Sequence, residues 1–380
     1  MPTLTERASE WYELFNRYAG DLYPGRYTLE RCRELAEMSD RISELAARKQ
    51  STIIAHNYLY PEFHEIAAQV GDSLGLSLWA RDAGAVRVDF ESVYFMGATA
   101  KLITGDDTRV FVCDAPRVLG CSLVFGTDHR WVEKWRERNP GGIVVTYINS
   151  DVAMKAISDY ICTSRNAAAV LKAAVEANPG KRVLMCPDKY LGWVTRAMAG
   201  LSEEVVEIYE HHFSGFHACC YVHEKVNPAS LDRMLDEHPE AELLIHPECG
   251  CASTCLFRVQ NGEIPHQKAY FLSTEQMLWH ARKSPAKEFV VATEKGMIYR
   301  LRKEVPEKVF YPVADEVVCD FMKQNTFEKL LRSLEEDRIE IIFCDDCCDP
   351  REPYTDDRVT HIPRSAGRLA MAAIDRMLAI

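Results

Sequence analysis

Three cysteines recur at one interval in this chain: Cys121, Cys220 and Cys319 are 99 residues apart. Equal spacing over so long a distance marks an internal repeat, which sets equivalent residues at equivalent points of successive units. If the units surround a common axis, the three thiolates can hold three corners of a [4Fe-4S] cubane, one per chain, and leave the fourth iron without a protein ligand. An open iron is a Lewis acid for a substrate hydroxyl or carboxylate, so dehydration is the natural chemistry. Spacing alone also allows three inherited core positions. Tetrahedral zinc fits less well, because structural zinc takes four ligands at short local spacings.

A second set of residues stands at the starts of helices. Ser73, Ser164 and the pair Ser273-Thr274 each precede an apolar-periodic segment. A hydroxyl there ordinarily caps the helix. Three helix N-termini aimed at one centre would also gather free N–H groups and dipoles into an anion site, which suits carboxylates or phosphate. His56, Tyr58, Tyr147, Asn149, His223, His246 and Glu248 would supply donors and acid/base groups to the same cavity.

The elements that must position these residues show the same repeat. Three apolar runs read as buried strands ending in polar residues: Ile53 to His56, Ile143 to Tyr147 and Leu243 to His246. Charged amphipathic helices over 28–48, 127–139 and 228–237 precede them. His56 to Ser73 and Tyr147 to Ser164 each span 17 residues, whereas His246 to Thr274 spans 28, as if 11 had been inserted. The next strand is expected to end at Met96, Pro187 and about Thr293. Strands alternating with helices at this spacing form right-handed parallel βαβ units covered on both faces. The expected fold is α/β, with three homologous αβα sandwich domains whose parallel sheets surround a pseudo-threefold axis. The expected boundaries are 1–121, a helical extension plus the first repeat with the C-terminal helix 365–380 packed on it; 122–220; 221–340; and a C-terminal segment, 341–380.

Composition narrows the function classes. At 380 residues and 47% hydrophobic content the chain can bury a large core. A net charge of -12 argues against nucleic acid as the main partner, and no apolar run approaches a membrane span. A soluble, unprocessed cytoplasmic protein is expected. In a reducing compartment its 14 cysteines are metal ligands, reactive thiols or small buried hydrophobes, the last reading covering Cys32, Cys113, Cys162 and Cys186. Two local groups stand apart. Cys249, Cys251 and Cys255 fall in the inserted stretch, where Arg258 stands at the place of the third cysteine of a radical S-adenosylmethionine signature. Cys344, Cys347 and Cys348 include a C-x2-C pair that could hold zinc or act in redox chemistry.

From about residue 50 to 338, and again in the last helix, the chain resembles the quinolinate synthase family. The resemblance is carried by Ala55-His56-Asn57-Tyr58, Gly71-Asp72-Ser73, Thr99-Ala100-Lys101, Gly120-Cys121-Ser122, Thr146-Tyr147-Ile148-Asn149-Ser150 and Cys162-Thr163-Ser164. It continues in Pro187-Asp188-Lys189, Cys220-Tyr221-Val222-His223, His246-Pro247-Glu248-Cys249, Ser273-Thr274, Ala292-Thr293-Glu294 and Cys319 with Met322-Lys323.

The resemblance implies a transferase of NAD biosynthesis that condenses iminoaspartate with dihydroxyacetone phosphate, releasing phosphate and water. It also implies a supplier of iminoaspartate, L-aspartate oxidase or aspartate dehydrogenase. By residue-by-residue transfer, Cys121, Cys220 and Cys319 are cluster ligands and Cys249 is a neighbour. His56, Ser73, Tyr147, Asn149, Ser164, His246, Glu248, Ser273 and Thr274 bind substrate. Tyr58, His56 and Glu248 act in proton transfer, assisted by His223. The chain departs from the common family pattern at Gly97-Ala98, Tyr190 and Glu275-Gln276. The competing readings are a cluster-dependent dehydratase or cyclase paralogue acting on a related dicarboxylate, and an iron-sulfur sensor.

Overall fold

Short apolar runs ending in polar residues become strands of parallel sheets in the computed structural model, which describes residues 3–380. The leading strands are Ser51–His56, Ile143–Tyr147 and Glu242–Ile245. Helices Leu29–Arg48, His129–Arg138 and Pro228–Glu237 precede them, close to the expected ranges. Thr28, Asp128 and Asn227 open these helices, each side chain accepting a first-turn N–H that would otherwise lack a partner. The first helix buries Cys32, Leu35, Ala36, Ser39, Ile42, Leu45 and Ala46, a stripe at the three-to-four spacing of one helical face.

The first sheet has the order Val359–Pro363, Glu340–Cys344, Arg109–Phe111, Arg87–Glu91, Ser51–His56, Gln69–Gly71. The last four strands are parallel, and Glu340–Cys344 runs antiparallel to Arg109–Phe111. The second sheet, Tyr160–Cys162, Ile143–Tyr147, Val183–Cys186, Val206–Ile208, is parallel throughout. In the third, Ala269–Phe271 and Glu288–Ala292 flank Glu242–Ile245, again in parallel. In every sheet the second strand of the repeat lies on one side of the first and the third on the other. The chain therefore reverses direction across the sheet between first and third strands, and in open α/β sheets ligands bind beyond the carboxyl ends at that point. These ends are His56 and Glu91, Tyr147 and Cys186, and Ile245 and Ala292.

The chain forms two compact units. One contains the chain up to Leu119, Glu294–Ile342 and Thr355–His361; the other contains Gly120–Thr293, Phe343–Tyr354 and Ile362–Ile380. The first unit is cored in part by aromatic rings, with Trp11 5.4 Å from Phe15 and Phe63 5.1 Å from Phe327 between centroids. The second has a cluster of Val132, Trp135, Val144, Met154, Leu184 and Tyr209.

Two expectations are corrected. The third strand of the first repeat ends at Glu91, and Met96 lies inside helix Tyr94–Thr104. That helix is buried from Phe95 to Ile103, so its apolar run lacks the polar face that distinguishes a helix from a buried strand in sequence. The C-terminal helix, Arg364–Leu378, packs against helix Val152–Ala156 and strand Tyr160–Cys162 of the second repeat, instead of on the first. Its buried face is built mainly of small residues, Ala366, Gly367, Ala370 and Ala373, which allow close approach, and Arg376 donates to the Asp159 carbonyl at 2.6 Å.

Candidate active site

Within the second unit, the loops at the carboxyl ends of the strands carry Tyr147, Asn149, Asp188, His246, Glu248 and Thr293. His246 extends its strand by donating its backbone N–H to the Ala292 carbonyl at 3.0 Å. Its Nδ1 lies 3.1 Å from Glu248 Oε2. His223, on the short helix Tyr221–Glu224, puts Nδ1 3.5 Å from the same oxygen and Nε2 3.0 Å from Thr293 Oγ1. The two imidazoles stack with centroids 4.8 Å apart. All three side chains are buried.

Burial alone would raise the Glu248 carboxyl. His223, His246 and a hydrogen bond from Asn149 outweigh it and hold the group below the usual carboxylate range. Burial pushes His223 down to about 4 against the pull of Glu248. An ionised carboxylate thus faces a neutral imidazole near pH 7, a pairing suited to proton transfer. Two imidazoles and a carboxylate within 4.8 Å of one another can also hold a metal ion.

Asn149 links this trio to the second repeat, its amide also donating to the Tyr147 hydroxyl at 3.0 Å. Asp188 follows strand Val183–Cys186 and is buried. One of its oxygens caps helix Lys189–Ala199 through Leu191 N at 2.8 Å, and the other accepts Cys220 N at 2.9 Å. Burial and the nearby charge of Glu248 raise its carboxyl well above the ordinary range.

In the first unit, His56 ends its strand, and its Nδ1 accepts the Tyr58 N–H at 3.2 Å. His246 stands in the same relation to Glu248, with Glu248 N 3.5 Å from His246 Nδ1. Tyr58 and Glu248 are therefore equivalent positions, each buried two residues beyond a strand-end histidine. Lys323 donates to the Tyr58 carbonyl, to Tyr23 Oη at 3.0 Å and to Glu294 at 3.1 Å.

The hydroxyl positions divide. Ser73 and Thr274 are each the first residue of a helix, Ser73–Asp82 and Thr274–Lys283, capped by Asp72 and Ser273 respectively. The Ser273 hydroxyl accepts from Gln276 N in a capping box. Ser164 lies in a turn, because helix Ala167–Ala177 begins three residues later, after Asn166 accepts Thr163 N at 2.7 Å. Strand register pairs His56 with Gly71 and Tyr147 with Cys162, placing Ser73 and Ser164 two residues past the paired position.

The cysteines, none in a disulfide, also divide. Cys121, Cys220 and Cys319 are partly exposed, and the first two stand immediately before the short helices Ser122–Phe125 and Tyr221–Glu224. Cys319 precedes the turn Met322–Gln324. Cys32, Cys113, Cys162, Cys186, Cys219, Cys249, Cys251 and Cys255 are buried, and the Cys249 thiol donates to the Ala292 carbonyl at 3.0 Å. The sulfurs of Cys344, Cys347 and Cys348 lie within 4.8 Å of one another and can hold a metal ion.

A family model described as quinolinate synthetase A protein matches residues 40–379. The chain belongs to that family. Among curated relatives, the quinolinate synthase of Pyrobaculum aerophilum is 37% identical over 81% of this chain and 94% of its own length. That of Mycolicibacterium paratuberculosis is 38% identical over 80% and 83%, and that of Thermus thermophilus 34% identical over 90% and 97%.

Membership of the quinolinate synthetase A family makes the chain an enzyme. Tyr190 and Glu275, singled out in the sequence, lie in ordinary surroundings. Tyr190 donates its hydroxyl to Glu224 at 3.2 Å, and Glu275 occupies the first turn of a helix, where negative charge complements the dipole. Sequence reasoning gave no role to Asp188, Glu294 or Lys323. The available signal was a carboxylate soon after the third strand of two repeats, Asp188 and Glu294, which the first repeat lacks.

Proposed function

We propose that the chain is a quinolinate synthase, condensing iminoaspartate with dihydroxyacetone phosphate to quinolinate with release of phosphate and water. The Glu248, His223 and His246 trio carries this reading: an ionised carboxylate buried against two imidazoles at the carboxyl end of a parallel sheet, in a chain of this family. Glu248 moves protons during ring closure, His223 and His246 fix its orientation, and Tyr58 with His56 serves the keto-to-aldehyde isomerisation after phosphate leaves. His56, Ser73, Tyr147, Asn149, Ser164, His246, Glu248, Ser273 and Thr274 contact the substrate's carboxylates or phosphate in this reading.

Cys121, Cys220 and Cys319 hold the [4Fe-4S] cluster in this reading. They fit it chemically: three partly exposed cysteines, none in a disulfide, lead into short helical segments. When bound, the cluster supplies a Lewis-acidic iron for loss of hydroxide. Iminoaspartate is delivered by L-aspartate oxidase or aspartate dehydrogenase, and the setting is cytoplasmic; no described helix is long and apolar enough to cross a membrane.

Anaerobic reconstitution followed by a quinolinate assay tests the activity. A fully loaded wild-type enzyme that makes no quinolinate would contradict it. Cys319→Ala is expected to lose the cluster chromophore and activity together; an active, cluster-free variant would remove the ligand assignment.

A further inference from the structure

One backbone contact recurs at all three proposed cluster ligands. The third residue after each third strand, Tyr94, Lys189 and Lys295, donates its N–H to the carbonyl two residues before the cysteine. These acceptors are Leu119 at 2.7 Å, Ala218 at 2.7 Å and Val317 at 3.0 Å. The residue just before each donor differs: Val93, Asp188 and Glu294. The two carboxylates, both buried, accept the N–H of the cysteine itself, Cys220 on Asp188 at 2.9 Å and Cys319 on Glu294 at 3.4 Å.

Glu294 has a second connection, on the side of a proposed proton-transfer residue: it binds the Lys323 ammonium, which also holds the Tyr58 carbonyl. Asp188 instead caps helix Lys189–Ala199 through Leu191 N at 2.8 Å. Val93 offers neither link.

We infer that Asp188 and Glu294 are positioning residues of the metal centre, fixing the backbone of Cys220 to the start of helix Lys189–Ala199 and that of Cys319, through Lys323, to the Tyr58 loop. The inference rests on the proposed cluster reading. The second and third ligands thus have a buried carboxylate on their own N–H, which Val93 cannot give Cys121, so their electrostatic surroundings differ.

The test uses reconstituted holoenzyme carrying Asp188→Ala, Asp188→Asn, Glu294→Ala or Glu294→Gln. Iron content, the electron paramagnetic resonance spectrum of the reduced cluster, its midpoint potential and kcat are measured. The alanine variants should keep iron but show shifted g values, a more positive midpoint and a kcat lowered about tenfold. The amide variants retain an acceptor oxygen and should restore the wild-type spectrum. Alanine variants with wild-type spectrum and potential would overturn the inference. If an alanine variant does not fold, its amide counterpart decides: loss of iron from a folded amide variant is the contrary result. Retention of four irons by Cys319→Ala would refute the cluster reading instead, so the two failures are distinguishable.

An independent observation concerns Cys344, Cys347 and Cys348, whose sulfurs lie within 4.8 Å of one another away from those ligands in sequence. Their turn is braced: Asp346 N donates to the Cys344 carbonyl at 2.8 Å, and the Asp346 carboxylate accepts Ser365 N at 2.9 Å. We propose that these thiolates bind a zinc-class divalent cation with an exchangeable fourth ligand. Elemental analysis of holoenzyme supplemented with zinc should find one zinc beside four irons, and Cys347→Ser should lose the zinc alone. Loss of iron instead of zinc, an unchanged zinc content, no zinc in the wild type, or a disulfide seen as a mass deficit would each overturn it.

Discussion

Glu248 shows how environment selects the role of a residue. It is a carboxylate kept ionised despite full burial because two imidazoles and an amide face it. Glu248→Gln keeps the shape and removes the base, so kcat should fall by roughly 10²–10⁴-fold, the range expected for general acid/base catalysis, with iron content unchanged. Steady-state kinetics beside iron analysis checks this. Glu91 is the opposite case, buried at a strand end with its oxygens unbonded apart from a Cys113 thiol beside them. Burial, then the charge of Asp89, pushes its carboxyl up to about 8, with Cys113 pulling it slightly down. A carboxyl with a raised folded-state pKa favours folding below its unfolded pKa of about 4.5, and this contribution is lost as pH rises toward about 8, at about 1.4 kcal/mol per pH unit. Glu91→Gln should therefore flatten the fall in stability between those limits, as read by denaturant titration at several pH values. The reactive residue types were legible from strand ends and spacing, whereas the opposite shifts of Glu91 and Glu248 were not, because they depend on neighbours distant in sequence.

At the scale of elements, patterning located the amphipathic helices and leading strands to within a residue or two, because charged faces and apolar runs have different periods. It failed where an element had no polar face. The segment Phe95 to Ile103 is buried on all sides and gave no period by which to separate helix from strand. The apolar period after Ser164 suggests a helix start there, but Asn166 bonds Thr163 and delays the helix to Ala167. The small residues on the buried face of Arg364–Leu378 suit close packing against many surfaces, and the partner is the second repeat where the first was expected. Ala370 is fully buried, so Ala370→Leu should overpack the surroundings of this helix and cost about 1–3 kcal/mol, measured by equilibrium denaturation.

For the whole molecule, the C-terminal stretch alternates between units: Phe343–Tyr354 and Ile362–Ile380 belong to one, Thr355–His361 to the other. Ending the chain at Ile342 therefore removes edge strand Val359–Pro363 from the first sheet and the docked helix from the second unit. Such a truncation should lower the thermal midpoints of both units, seen by calorimetry and by new protease cleavage in each; a loss confined to one unit would argue against the division. The sequence by itself determined the repeat, the α/β class, the strand ends bearing His56, Tyr147 and His246, and the cysteines set 99 residues apart, because these are carried by local period and fixed intervals. Only the tertiary structure decided that Asp188 and Glu294 grip the backbone of Cys220 and Cys319, that His223 stacks on His246 over Glu248, and that the last helix lies on the second repeat. Each of these brings together residues between 23 and 217 positions apart, whose meeting is fixed by sheet order and close packing instead of by any pattern a short window can hold.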